Sequence, residues 1–149
     1  MSQIDSILKE KHEYPLIIGF FCNWCSYAAA DLAGTSKIQY SPNIRIIRVM
    51  CTGRISPAFI IEAFSKGADG VLVAGCHPQD CHYRIGFDRA EKRVKALQEL
   101  LNETGIDQKR LRITSAGAPE AQKIVDEITD FIAELEKLGP MGSEFMKTK

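Results

Sequence analysis

Two hydrophobic rhythms alternate along the chain. Residues 16–21 (LIIGFF), 44–50 (IRIIRVM) and 70–75 (GVLVAG) are short runs rich in apolar or β-branched residues, the pattern of buried strands. A shorter run at 111–115 (LRITS) predicts a fourth strand. Between them lie segments with helical character. Residues 26–33 (SYAAADLA) are good helix formers that end near Gly34. Ser56 and Pro57 suit an N-cap and a first turn, and open a helix carrying Phe59, Ile60, Ala63 and Phe64 that stops at Gly67. From about Asp88 to Thr104, Ala90, Val94, Leu97 and Leu101 recur at helical spacing, with Gly105 as the expected cap. From about Pro119 to Leu138, Ile124, Ile128, Ile132 and Leu135 share one face, and Gly139-Pro140 ends the pattern.

Strands that alternate with helices build a parallel sheet through right-handed crossovers. The expected fold is α/β: a single small doubly wound sheet of about four strands, flavodoxin-like, in order 2-1-3-4. Its domain spans residues 14–140. Residues 1–13 form an N-terminal extension, and residues 141–149 form a polar tail, expected to be mobile, whose GSEF stretch resembles a cloning scar.

At 149 residues the chain can bury its own core without a staple. Formal net charge is zero, which argues against nucleic acid as a main partner and gives no attraction to an anionic membrane. No run approaches the roughly 18 apolar residues of a membrane span, and no signal-peptide core precedes residue 14, so a cytoplasmic location is expected. In that reducing setting cysteines serve as thiols, metal ligands or redox centres.

All five cysteines fall in the first 81 residues: Cys22, Cys25, Cys51, Cys76 and Cys81. Cys22, Cys51 and Cys76 stand at the ends of the first three strands. Open parallel sheets bind ligands beyond the carboxyl ends of their strands, where strand order reverses. In order 2-1-3-4 that point lies between strands one and three. The C-x2-C of Cys22 and Cys25 then faces the C-x4-C of Cys76 and Cys81, with Cys51 alongside. Four thiolates so placed suit a [2Fe–2S] cluster, a [4Fe–4S] cluster or a zinc ion. Two short dicysteine loops supply two thiolates to each iron of a [2Fe–2S] cluster. The preferred ligands are Cys22, Cys25, Cys76 and Cys81, with Cys51 as a spare or substitute. Helix N-termini, Arg54 and Arg84 would add positive charge.

Rival readings remain open. Cys22-Asn-Trp-Cys25 on a strand-to-helix turn suits thiol–disulfide exchange. A zinc-binding adaptor could use the same cysteines. His77 and His82 each follow a cysteine and could be ligands, though a hydrogen-bonding role is the simpler reading. Trp24 and Tyr83 could shield the site or face a partner. Asp80 could cap its loop. No G-x-G-x-x-G or P-loop pattern predicts a nucleotide, and no Ser/His/Asp set or carboxylate pair predicts hydrolysis.

Three motifs carry a family resemblance: Phe21-Cys22-Asn23-Trp24-Cys25-Ser26-Tyr27, Val49-Met50-Cys51-Thr52-Gly53-Arg54, and Gly75-Cys76-His77-Pro78-Gln79-Asp80-Cys81-His82-Tyr83. In order and spacing the chain resembles the delta subunit of methyl-viologen-reducing hydrogenase, from about Phe20 to Pro140. The resemblance implies a non-catalytic relay subunit of an oxidoreductase complex, carrying one [2Fe–2S] cluster. It implies electrons arriving from a nickel–iron hydrogenase or a formate dehydrogenase. They would leave to the flavin-containing subunit of heterodisulfide reductase, in an electron-bifurcating complex of methane-forming anaerobes.

Overall fold

The computed structural model describes residues 15–38, 43–77 and 85–140 of the chain. They form four strands, β1 (Ile17–Cys22), β2 (Ile44–Val49), β3 (Gly70–Gly75) and β4 (Leu111–Ser115). Four α-helices alternate with them: α1 (Ser26–Thr35), α2 (Pro57–Ser65), α3 (Gly86–Glu103) and α4 (Ala121–Leu138). All strand pairs are parallel, in the order β2-β1-β3-β4. The fold is therefore the α/β sheet that the hydrophobic pattern predicts.

Side chains alternate across the sheet and give it two cores. On one face Ile18, Phe20, Val71 and Val73 pack against Ile60 and Phe64 of α2 and Val94, Leu97 and Leu101 of α3. On the other, Ile17, Phe21, Leu72 and Ala74 meet Ala29, Ala30 and Ala33 of α1 and Ile124, Ile128, Phe131 and Leu135 of α4. Each fully buried Ile, Leu or Phe contributes roughly 1.5–3 kcal/mol, so the two faces of the sheet supply most of the favourable burial. No described helix is long and apolar enough to cross a membrane.

Boundaries shift for identifiable reasons. Ser56 accepts a hydrogen bond from the Ala58 N–H (3.2 Å) and Pro57 fills the first turn, so α2 begins as read. Cys22 is the last residue of β1 rather than the first beyond it. The third helix begins at Gly86, because buried Phe87 extends its apolar face by a turn. The last helix begins at Ala121, since the Glu120 carboxylate accepts from the Gly117 N–H (2.8 Å) and holds 118–119 in a turn. Two short 3-10 turns, Thr52–Arg54 and Gln108–Arg110, have no counterpart in the periodic pattern.

Candidate metal centre

The carboxyl ends of β1 and β3 lie side by side at the topological switch point; Cys22 is the last residue of β1 and Cys76 directly follows β3. Ser26 fixes this junction. It is fully buried, accepts from the Cys22 N–H (3.0 Å) and donates to the Ala74 carbonyl (2.6 Å), so one hydroxyl clamps both strand ends. The Asn23 N–H donates to the Val49 carbonyl (2.7 Å), which ties the C-x2-C loop to β2. Cys25 then occupies the N-cap position of α1 without a side-chain cap, and the first turn of that helix holds no acidic residue. The positive end of the α1 dipole thus faces the sulfurs unopposed by a carboxylate of its own.

Cys22, Cys25 and Cys76 converge, with all three sulfurs within 4.8 Å of one another. Their exposures are 2%, 5% and 2%, so the site is closed to bulk water. Cys22 Sγ lies 3.6 Å from Cys76 Sγ, and Cys25 and Cys76 are joined by a disulfide across a 5.4 Å Cα–Cα gap. The bonded pair therefore joins the C-x2-C loop to the residue after β3 and is not the C-x2-C itself. Two electrons and two protons convert it to two thiols. A metal needs the same sulfurs as thiolates, so disulfide and metal are alternative states of one site. Three buried, convergent, soft donors fit an iron–sulfur cluster or zinc.

Cys51 is buried but stands apart from this trio. It caps the turn Thr52–Arg54, its sulfur accepting from the Gly53 N–H (3.4 Å). Behind it the backbones are closely stacked: a Cβ on Gly53 would sit 2.9 Å from the Gly86 Cα, and one on Gly75 would sit 2.6 Å from the Phe87 ring. Arg93 donates to the Gly53 carbonyl and pins this loop to α3. Cys81 lies outside the described residues, as do Asp80, His82, Tyr83 and Arg84. Trp24 is 43% exposed.

His77 is engaged at both ring nitrogens. Nδ1 lies 3.1 Å from Ser115 Oγ, and Nε2 contacts Glu120 Oε1. The sequence shows no Ser/His/acid set, yet the fold assembles Ser115, His77 and Glu120 into one chain that ties the end of β3 to β4 and α4. The backbone N–H of Gly117, and after it His77, holds the Glu120 carboxyl below its ordinary range. A lowered carboxylate pKa stabilises the fold above the ordinary value and is lost as pH falls through the lowered one. The contact should therefore open only in acid. In a carbon-13 titration of the side-chain carboxyl, Glu120 should titrate below the ordinary glutamate value. His77→Ala should reduce that displacement without abolishing it, because the Gly117 N–H remains.

Ser26, Gly53, Gly75 and Arg93 support the site. The first three fall inside the motifs that carry the family resemblance, but their supporting roles follow only from the fold, and Arg93 lies outside every motif.

A parallel α/β sheet with buried sulfurs gathered at its switch point defines a thiolate-based metal or redox module. Residues 17–139 match the family model described as methyl-viologen-reducing hydrogenase, delta subunit, and the chain belongs to that family. It is 48% identical over 126 residues to the vhc iron-sulfur subunit of the F420-non-reducing hydrogenase of Methanococcus voltae, covering 85% of this chain and 88% of that protein. It is 45% identical over 130 residues to the iron-sulfur subunit of the F420-non-reducing hydrogenase of Archaeoglobus profundus, covering 87% and 95%. A subunit of the Ferredoxin:CoB-CoM heterodisulfide reductase of Methanosarcina mazei is 48% identical over 147 residues, 99% of this chain but only 18% of that protein. The corresponding heterodisulfide reductase subunit from Methanosarcina acetivorans likewise matches over only 18% of its length.

Proposed function

We propose that this chain is an electron-relay subunit holding one [2Fe–2S] cluster on Cys22, Cys25, Cys76 and Cys81, with Cys51 as a spare or substitute ligand. The convergence of three buried sulfurs at the switch point carries this reading. The names of the relatives agree with it, since they are iron–sulfur subunits of hydrogenases or subunits of heterodisulfide reductase. When bound, the cluster supplies a one-electron redox centre. The chain's own part is to shape and dry the site. The Ser26 clamp holds two ligand-bearing strand ends in register, burial excludes water, and the α1 N-terminus offsets the negative charge of the thiolates.

In this reading residues 14–140 are the relay domain, and the chain works in the cytoplasm without transforming a substrate itself. Electrons come from a hydrogenase or a formate dehydrogenase and leave to the flavin-containing subunit of heterodisulfide reductase, where bifurcation takes place.

The Cys25–Cys76 bond supports a second reading, thiol–disulfide exchange. The Cys22 thiolate, 3.6 Å from Cys76 Sγ, would attack that sulfur and release Cys25 as a thiolate. Metal and sulfide analysis of anaerobically purified protein separates the readings. About two irons and two acid-labile sulfides per chain are expected. Zinc without sulfide would instead leave a metal-binding adaptor, and neither metal nor sulfide would leave the exchange chemistry.

A further inference from the structure

We propose that the cleft beside Cys51 is the docking site for an acidic segment of the redox partner protein, whose carboxylates pair with Arg54 and Arg89 while its apolar residues cover Met50 and Ile85. The proposal rests on the relay reading above. The cleft has a volume of about 430 Å³ and lies between the loop that carries Cys51 and the start of α3. Met50, Cys51, Arg54, Ile85 and Arg89 line it. Met50 is 46% and Ile85 48% exposed, high values for large apolar side chains.

Two features specify the occupant. Arg54 and Arg89 are both exposed, and neither guanidinium has a hydrogen bond or ion pair with a described residue, their backbone N–H groups alone being bonded within the loop and α3. Elsewhere in the fold, Arg93, Arg110 and Arg112 are each bonded to carbonyls or carboxylates. The N-terminus of α3 adds positive potential at Gly86, where Ile85 provides no side-chain cap; Asp88 is the one carboxylate in that turn. The surplus is positive and calls for carboxylates. The flanking Met50 and Ile85 make the surface mixed, arginine beside large apolar groups, which suits a protein better than a small anion.

The cleft also touches the redox site. The Met50 carbonyl is 3.8 Å from Cys22 Sγ, so a partner seated on Met50 is one residue away from a site sulfur. The loop is also tied to α3, since the Gly53 backbone approaches Gly86 closely and Arg93 donates to the Gly53 carbonyl. A partner docking here would meet preformed geometry.

The test measures equilibrium binding of the cluster-loaded protein to two probes, the purified hydrogenase and the purified heterodisulfide reductase of the same organism. Arg54→Glu with Arg89→Glu should weaken binding to at least one probe by about tenfold or more at low salt. Wild-type affinity for that probe should fall with added salt, and the variant should lose this dependence. Arg54→Lys with Arg89→Lys should retain most of the affinity, and all forms should keep the same iron content. Unchanged affinity of the Glu variant for both probes would overturn the docking site and leave the relay reading intact. A wild-type protein that binds neither probe would overturn the relay reading and the docking site with it.

Discussion

Cys76→Ser is expected to empty the metal centre: iron and acid-labile sulfide should fall from about two each per chain to a small fraction of that. Cys76 is the sulfur through which the site is connected, 3.6 Å from Cys22 and bonded to Cys25. Serine replaces a soft, readily ionised sulfur with a hard hydroxyl that stays protonated near neutrality, and its oxygen does not reach as far. The strand end itself should survive, because the Ser26 clamp acts through the backbone of Cys22 and Ala74. Cys51→Ser is the matched comparison. Its sulfur stands outside the converged trio, so cluster content should stay near the wild-type level. Loss of cluster in Cys51→Ser, with retention in Cys81→Ser, would exchange those two residues in the ligand set. Metal and sulfide analysis of the three variants, purified without oxygen, gives the answer.

The two states of the site also bear on handling. While Cys25 and Cys76 are bonded to each other they cannot offer two thiolates. On the relay reading, cluster loading therefore follows reduction, and oxidation of an unloaded chain competes with it. The buried setting sharpens this competition, because each sulfur has another sulfur as a near neighbour and little access to water.

Much of the architecture is legible from residue patterns, and for a physical reason. Strands buried on both faces are nearly continuous apolar runs, and β3 could be read to the residue from GVLVAG. The exposed faces of α3 and α4 are charged, so their buried faces stand out at helical spacing. Right-handed crossovers permit several strand orders; the observed order, β2-β1-β3-β4, is the one expected, and it brings Cys22 and Cys76 together. What was not legible depends on contacts between distant segments. Phe131, fully buried between Ile128 and Leu135, belongs to the core although the isoleucine stripe passes it by. Cys51 shares the strand-end position of Cys22 and Cys76, but the Gly53 turn carries its sulfur away from the trio. His77 sits beside a ligand candidate, yet Ser115 and Glu120, far along the chain, decide what it binds.

Arg110 is the clearest case of a contact that no periodicity reveals, and its loss should cost the fold more than that of any surface charge. In sequence it ends the polar string Asp107-Gln108-Lys109-Arg110, where nothing marks it as buried. In the fold it is fully buried. Its guanidinium donates to the carbonyls of Asp69 (3.0 Å), Gly139 (2.7 Å) and Pro140 (3.1 Å). It thereby joins the start of β3 to the end of α4, at the edge of the sheet opposite the sulfurs. A cation here also meets the negative end of the α4 dipole. Arg110→Met keeps most of the volume but strands these carbonyls, and hydrogen bonds to charged groups are each worth roughly 1.5–3 kcal/mol. We expect a loss of about 3 kcal/mol, which for a domain of this size lowers the melting temperature by roughly 6–12 °C. Arg110→Lys should recover only part, since a single ammonium cannot span the two sides as the guanidinium fork does. Urea unfolding followed by circular dichroism measures both variants. A loss under about 1 kcal/mol for Arg110→Met would mean that water satisfies the carbonyls and that the junction does not depend on the buried charge.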